Sequence, residues 1–456
     1  MTALTDFLNR RVVPPLNAVS DNTYLSAIRA GMVAVSPLTI LGGLFMVIAY
    51  LPFPGWKGVK LPAWSSPFLP DSFVATVDQL LSNINIPSWE SIIGPYLNVL
   101  QFPVTATFGL LAVFVSFAVA YDLGQRLKQE ALSSASISTL CFLLLQLKLT
   151  DGAEPEQILD MHGLGSAGLF TAILVALVSV PVQRFFTERN LVIKLPASVP
   201  PVVYESFASL VPMAFLLVLF WVIRFVLGVD INGLIQTVFK PLVFALNTLP
   251  GILVYAFLVT LLWSVGINGD NAMDAIVAPI FLQYLGDNVA AVAAGKPMPY
   301  VTALGFFTSF VNVGGTGATI ALALVMLNSK EPGYRKVARL SLPTQIFQIN
   351  EPIFFGFPIV LNPILMVPYI LNALLLTAGS FLLIQWGVIQ KPFVNVPWTT
   401  PPIIGHYLVT GGDWKAAVWG AVSIVIAMAV YWPFAKAAER QRLKAQEQAP
   451  SDSAAT

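Results

Sequence analysis

The sequence predicts an all-α polytopic membrane protein, with about ten membrane-embedded helical elements and two re-entrant hairpins among them. Three observations carry that expectation. Of 456 residues, 56% are hydrophobic and 10% charged, where soluble globular chains carry about 25% charged residues. The apolar residues gather into runs of roughly 20, the length that crosses a bilayer core as a helix. Finally, two runs are interrupted by Gly, Pro, Asn and acidic residues, and broken backbone is tolerated at membrane depth only where it is buried or lines a cavity.

Taken in order, the unbroken spans are Ala27 to Tyr50, Leu97 to Tyr121, Ala131 to Leu149, Ser166 to Phe186, Val203 to Leu227, Tyr300 to Leu327, Leu365 to Val388 and Ala416 to Phe434. The broken ones are Ile252 to Leu285 and Gln345 to Ile364. Positive residues cluster at Arg10/Arg11, Arg126/Lys128, Arg184/Arg189/Lys194, Lys330/Arg335/Lys336/Arg339 and Lys436/Arg440/Arg442/Lys444. The positive-inside rule places these clusters, and both termini, in the cytoplasm. An odd number of crossings then separates Leu227 from Lys330, and an even number separates Arg339 from Lys436. Both conditions hold if each broken segment enters and returns on the same side, provided that Gly228 to Pro250 does not itself cross. The expected organisation is a cytoplasmic segment 1–26, one membrane domain 27–435, and a basic, then disordered, cytoplasmic tail 436–456. Met1 to Asn22 has no short apolar run ending in a cleavage site, so no removable signal is expected.

Composition also excludes function classes. A net charge of +1 with mixed signs gives no nucleic-acid surface. The single cysteine, Cys141, has no second thiol and lies in an apolar run, as a small core residue would. No metal and no cofactor are expected.

Polar residues at membrane depth mark the candidate site. In Ile349-Asn350-Glu351-Pro352-Ile353-Phe354 a lone carboxylate stands in an apolar segment, at a cost of at least ~2.5 kcal/mol. Pro352 biases Glu351 away from helix and leaves it at a break beside free backbone groups. Asn350 and Asn362 flank it with amide donors and acceptors. The alternative is that Glu351 pairs with Arg or Lys in a fold-stabilising bridge. In the first broken segment, Trp263-Ser264-Val265-Gly266-Ile267-Asn268-Gly269-Asp270 leads into Asn271 and Asp274. Asp270 and Asp274 share a face if a helix restarts at Gly269. Asp270 is open to two readings, substrate contact or helix cap. Gly314-Gly315-Thr316-Gly317-Ala318-Thr319 follows no strand, so it is read as close packing of small residues within a span and not as a phosphate loop. Trp56, Trp64 and Trp89 are read as interfacial anchors.

At these residues the chain resembles the membrane permease component, enzyme IIC, of the sugar phosphotransferase system, in its lactose/cellobiose (diacetylchitobiose) family. The matching stretches run nearly end to end: Ala27-Ile28-Arg29-Ala30-Gly31 with Pro37-Leu38-Thr39-Ile40, Leu164-Gly165-Ser166 to Lys194-Leu195-Pro196, Val199-Pro200-Pro201 to Pro212, Asn350-Glu351-Pro352, and Pro397-Trp398-Thr399-Thr400-Pro401-Pro402-Ile403. The resemblance implies a homodimer in the lipid of the bacterial inner membrane. It would move a β-linked disaccharide such as cellobiose inward, for phosphorylation by a separate IIB that is charged by IIA. With no nucleophilic cysteine loop and no soluble domain before Ala27 or after Phe434, the chain is read as a lone IIC.

By the same resemblance Glu351 is the catalytic contact: in a largely dry cavity it would position the sugar hydroxyl and accept its proton. Asn350, Asn268 and Asp270 are the expected polar substrate contacts. Trp263 and Trp398 match positions that look like sugar-stacking platforms, with the indole N–H free to donate. Where family members place a histidine, this chain has Asn268, which can hold a hydroxyl but takes up no proton near neutral pH. His162 and His406 are both read as exposed loop residues and not as its replacement. Two further readings therefore stand beside the permease: a carrier decoupled from phosphorylation, and a membrane sugar sensor.

Overall fold

The computed structural model describes residues 22–50, 56–57, 76–77, 79, 85–86, 88–149, 157–196, 199–357 and 359–448. Arg10, Arg11 and Trp64 lie outside the described residues; Trp56 lies in a two-residue strand and Trp89 opens a short helix. The first half packs around α3 (Leu111–Arg126), which is buried against α1 (Thr23–Tyr50), α4 (Ala131–Gln146) and α5 (Leu169–Glu188); α2 (Leu97–Phe108) also lies on α1. Small residues permit the close crossings that membrane helices use in place of a hydrophobic driving force. A Cβ on Gly31 of α1 would stand 2.4 Å from Val119 Cγ2 of α3. Ser116 and Ser138 share a hydrogen bond of 2.9 Å between α3 and α4. Cys141 is fully buried in this core.

The second half begins with α6 (Pro201–Trp221), α7 (Ile231–Leu246), α8 (Leu249–Ser264) and α9 (Gly269–Ala293). It continues through α10 (Ile320–Met326), α11 (Pro332–Ile346), α12 (Glu351–Gly356), α13 (Pro363–Gln385), α14 (Pro402–Val409) and α15 (Trp414–Gln448). Helix α13 packs against α8 and α15, while α9 packs across to α1 and joins the halves. Among the described residues seven helices are long and apolar enough to cross a membrane, or eight if the bent pair α7–α8 counts as one span. Helix α7 occupies most of the Gly228 to Pro250 stretch and meets α8 at a bend of 82°.

Four expectations need correction or sharpening. Tyr300 to Leu327 is not one helix: a π-helical turn over Phe306–Val311 gives way to a glycine turn before α10. Close packing does explain those glycines, but packing of a turn and not of a helix. The expected break in Ile252 to Leu285 is present, yet its second arm, α9, is 25 residues long, enough to span by itself. Between α13 and α15, where His406 is expected in an exposed loop, the chain folds back on itself. Phe393 and Val394 both donate backbone N–H to the Val409 carbonyl, and Asp413 Oδ2 accepts from the Gln390 N–H at 2.9 Å.

The fourth is the tail, expected to be basic and then disordered from 436. Helix α15 runs on to Gln448, its C-terminal part latched to the α10–α11 turn; 449–456 lie outside the described residues. Glu439, 4% exposed, accepts from Ser329 Oγ and Lys436 Nζ. Arg442 lies over the Tyr334 ring at 4.7 Å, and Gln446 Nε2 donates to Glu331.

Candidate functional site

Four departures from regular structure meet in one place. Asp270, in the first turn of α9, is the hub. Its Oδ2 accepts from Trp263 Nε1 at 2.8 Å and from Thr316 Oγ1 at 2.7 Å, and its Oδ1 from Asn312 Nδ2 at 3.4 Å. The Thr316 carbonyl in turn accepts from Asn350 Nδ2 at 3.0 Å. Gln348 closes the next side. Its Oε1 accepts the N–H groups of Gly314 and Gly315, and its Nε2 donates to the Thr400 carbonyl at 3.3 Å. The Leu361 N–H donates to the Ser264 carbonyl at 2.9 Å, so the two broken segments are stitched together directly.

The glycine turn makes this approach possible. Gly314, Gly315 and Gly317 have φ of +72°, +102° and +76°, the left-handed region that side chains disfavour. Space demands glycine as well: a Cβ on Gly315 would stand 2.5 Å from Asn350 Cβ, and one on Gly317 2.3 Å from the Tyr369 ring. Gln348 and Leu361 are also left-handed without being glycine, at +68° and +55°. Such strain persists only where surrounding contacts over-determine it, and it gathers at functional sites.

The expected residues come together, with altered roles. Asn268, not Asp270 or Asn271, caps α9: its Oδ1 accepts the Asn271 N–H at 2.9 Å. Capping therefore does not explain Asp270, whose carboxylate is given to the seam. Trp263 is 8% exposed, its N–H is taken by Asp270, and its ring meets Phe354 edge-on at 5.2 Å. In this conformation it forms wall, where an open platform with a free N–H was expected. Asn350 is buried and holds Thr316. Glu351 begins α12, is exposed, and forms no ion pair among the described residues. That removes the buried-bridge alternative and corrects the expected dry surroundings: the break leaves the carboxylate at the rim. Trp398, 60% exposed, lies two residues from Thr400, as Glu351 lies three from Gln348, so the Gln348–Thr400 bond ties their segments together. Asp274, one turn beyond Asp270, lies within electrostatic reach of Arg29 on α1.

Among the described residues neither histidine hydrogen-bonds to the seam. His162 is exposed, as expected. His406 is not: it lies fully buried in α14, its Nδ1 on the Pro402 carbonyl and its ring 4.8 Å from Phe310. The fold-back between α13 and α15 buries what reads as a loop. Sequence reasoning missed Thr316, Asn312, Gln348 and Thr400. Three glycines within four positions of an assumed span, right after Asn312, were the available signal.

The sequence profile described as "Phosphotransferase system, EIIC" matches residues 29–373. The chain belongs to the EIIC family of the phosphotransferase system. It is a sugar permease of that system, residing in the bacterial inner membrane, where EIIC components work with IIA and IIB partners. It is 35% identical to the PTS system cellobiose-specific EIIC component of Geobacillus stearothermophilus, over 97% of this chain and 95% of that one. A lactose-specific EIICB component of Streptococcus mutans is 28% identical over 96% of this chain and 73% of its own length. The crystal structure of the transporter ChbC, the IIC component from the N,N'-diacetylchitobiose-specific phosphotransferase system, superposes with a TM-score of 0.81 at 30% identity, covering 97% of this EIIC chain and 99% of ChbC.

Proposed function

We propose that this EIIC binds a β-linked disaccharide such as cellobiose at the seam, with Glu351 contacting the hydroxyl that a separate IIB phosphorylates. The observation that carries this reading is the exposed Glu351, without an ion pair among the described residues, next to a hydrogen-bonded cluster built from four interruptions of the chain, to which the Gln348–Thr400 bond ties the segment of Trp398. An exposed carboxylate and an exposed indole suit a polyhydroxylated ligand that has both hydroxyls and an apolar face. Among the described residues no cation pairs with Glu351, so its proton-accepting electron pair is available to the sugar hydroxyl. Trp398 offers its indole face to the ring. As a permease of this kind the protein is taken to be a homodimer.

Asn268 decides between this reading and a carrier decoupled from phosphorylation, since its amide oxygen is engaged as the cap of α9. In vesicles supplied with charged IIB, the unmodified chain is expected to form sugar phosphate slowly. Asn268→Ala is expected to lower sugar binding and rate together, and to cost about 1 kcal/mol of stability through the lost cap. Uptake with no sugar phosphate at all, in wild type and Asn268→His alike, would favour the decoupled carrier. Rapid IIB-dependent phosphorylation that Asn268→His leaves unaltered would sink it.

We also assign both termini and the Lys330 to Arg339 cluster to the cytoplasm, on charge. After replacing Cys141, single cysteines placed at Lys336 and Lys444, both exposed, should react with a membrane-impermeant maleimide only in inside-out vesicles. Labelling of either from outside intact cells would reverse the assignment.

A further inference from the structure

A polar cavity lies at the other end of α9. Its volume is about 380 Å³, and it is lined by His162, Gln236, Gln283, Asp287, Pro299 and Tyr300 among others. Asp270 and Asp287 are 17 positions apart on one helix, about 25 Å along its axis, so this cavity is separate from the seam. We propose that it is a second sugar-binding station, at the mouth opposite Glu351, where the permease first engages its substrate.

The lining is built and incompletely satisfied. Gln283 and Asp287 are four apart on α9 and project from one face. Asp287 Oδ1 accepts from Ser166 Oγ at 2.6 Å, and that bond fixes the carboxylate while Oδ2 remains for a ligand. Gln283 Oε1 is buried with no hydrogen-bond partner among the described residues. A buried acceptor left unmade costs about 1–3 kcal/mol, so it calls for a donor that the described residues do not supply. Gln236 donates to the Ala167 carbonyl at 3.1 Å, which orients its own oxygen. Tyr300 is anchored on two sides: its ring stacks on Tyr284 at 4.2 Å, and Asn288 clamps its backbone N–H and carbonyl at 3.0 and 2.8 Å.

The chemistry selects a neutral polyhydroxylated ligand. One carboxylate, amide oxygens and an aromatic ring are the groups that take up hydroxyl pairs and an apolar sugar face. Among the described residues no group of three or more His, Cys, Asp or Glu is placed to hold a metal ion. The volume falls within the range of small-ligand pockets, about 300–1,000 Å³. The location fits as well. The chain between α4 and α5, which carries His162, lies across the membrane from Arg126/Lys128 and Arg184/Arg189, the clusters assigned to the cytoplasm.

The ligand class rests on the sugar-permease reading, and the test separates the two. Gln283→Leu removes the unpartnered acceptor at similar volume; Asp287→Asn keeps the shape and an oxygen for Ser166. Cellobiose uptake is measured in right-side-out vesicles loaded with charged IIB, and cellobiose phosphorylation in inside-out vesicles given IIB and sugar from the cytoplasmic face. Each variant is expected to raise the uptake KM about tenfold, the effect of one ordinary hydrogen bond, with little change in maximal rate. The inside-out KM should stay within about a factor of two. An unchanged uptake KM in both variants overturns the second station. So does a parallel loss in both assays with a lowered melting temperature, which would mark the residues as structural. Glu351→Gln serves as the control for the seam: if it leaves both assays intact, the Glu351 assignment fails independently of the second station.

Discussion

Glu351→Gln is expected to lower sugar phosphorylation by about 10² to 10⁴, the usual contribution of a positioned acid–base group, while leaving the fold unchanged. The two halves of that expectation come from the same geometry. Glu351 opens α12, is exposed and has no ion pair among the described residues. The glutamine side chain therefore disrupts nothing in the protein, and stability should stay within about 0.5 kcal/mol of wild type, as for other uncoupled surface changes. What is lost is the charge and the electron pair that accepts the hydroxyl proton. Melting of the detergent-solubilised protein, sugar binding by calorimetry and IIB-dependent turnover check the three quantities separately. Normal turnover in the variant would remove Glu351 from the site. A large fall in melting temperature would instead make it structural.

Asp270→Ala is expected to do the reverse: to destabilise first and abolish binding as a consequence. Trp263 Nε1, Thr316 Oγ1 and Asn312 Nδ2 all donate to this carboxylate. Hydrogen bonds to a charged group are each worth about 1.5–3 kcal/mol, and a buried donor left without its acceptor carries the full desolvation cost. The loss should be about 3 kcal/mol or more, below a simple sum because the three bonds share one acceptor and are not additive. The seam between α8, the glycine turn and α12 should open. The measurements are the melting temperature and the cellobiose dissociation constant. Asp270→Asn should fall between the two, since its amide oxygen accepts but its NH2 group faces the donors of Trp263 and Thr316. An alanine variant that melts with wild type and binds sugar normally would show that the seam does not depend on Asp270.

Much of this protein is legible in its sequence, and the reasons are local. A bilayer requires every spanning backbone group to be hydrogen-bonded, which helices and closed barrels achieve, and apolar runs of roughly 20 residues select the helix, so composition and run length alone specify an all-α polytopic membrane fold. The same constraint exposes Glu351, Asn350, Asp270 and Asn268, because a polar residue in an apolar run must be explained. Motifs such as Asn350-Glu351-Pro352 carry the family, to which the match over 29–373 also assigns the chain. What only the tertiary structure decided is how the interruptions face one another. Whether Asp270 caps its own helix or binds Thr316, 46 residues away, depends on a contact that no local pattern encodes. Gln348 looks unremarkable until its oxygen is found on Gly314 and Gly315, and those glycines look like helix packing until their positive φ and the closeness of Asn350 are seen. His406 reads as exposed because its segment is proline-rich and short, and it is buried because that segment folds back between α13 and α15. Hydrophobic periodicity reports a segment's environment averaged over its length. The site is made of single side chains at breaks, where that average carries no information and long-range hydrogen bonds set every orientation.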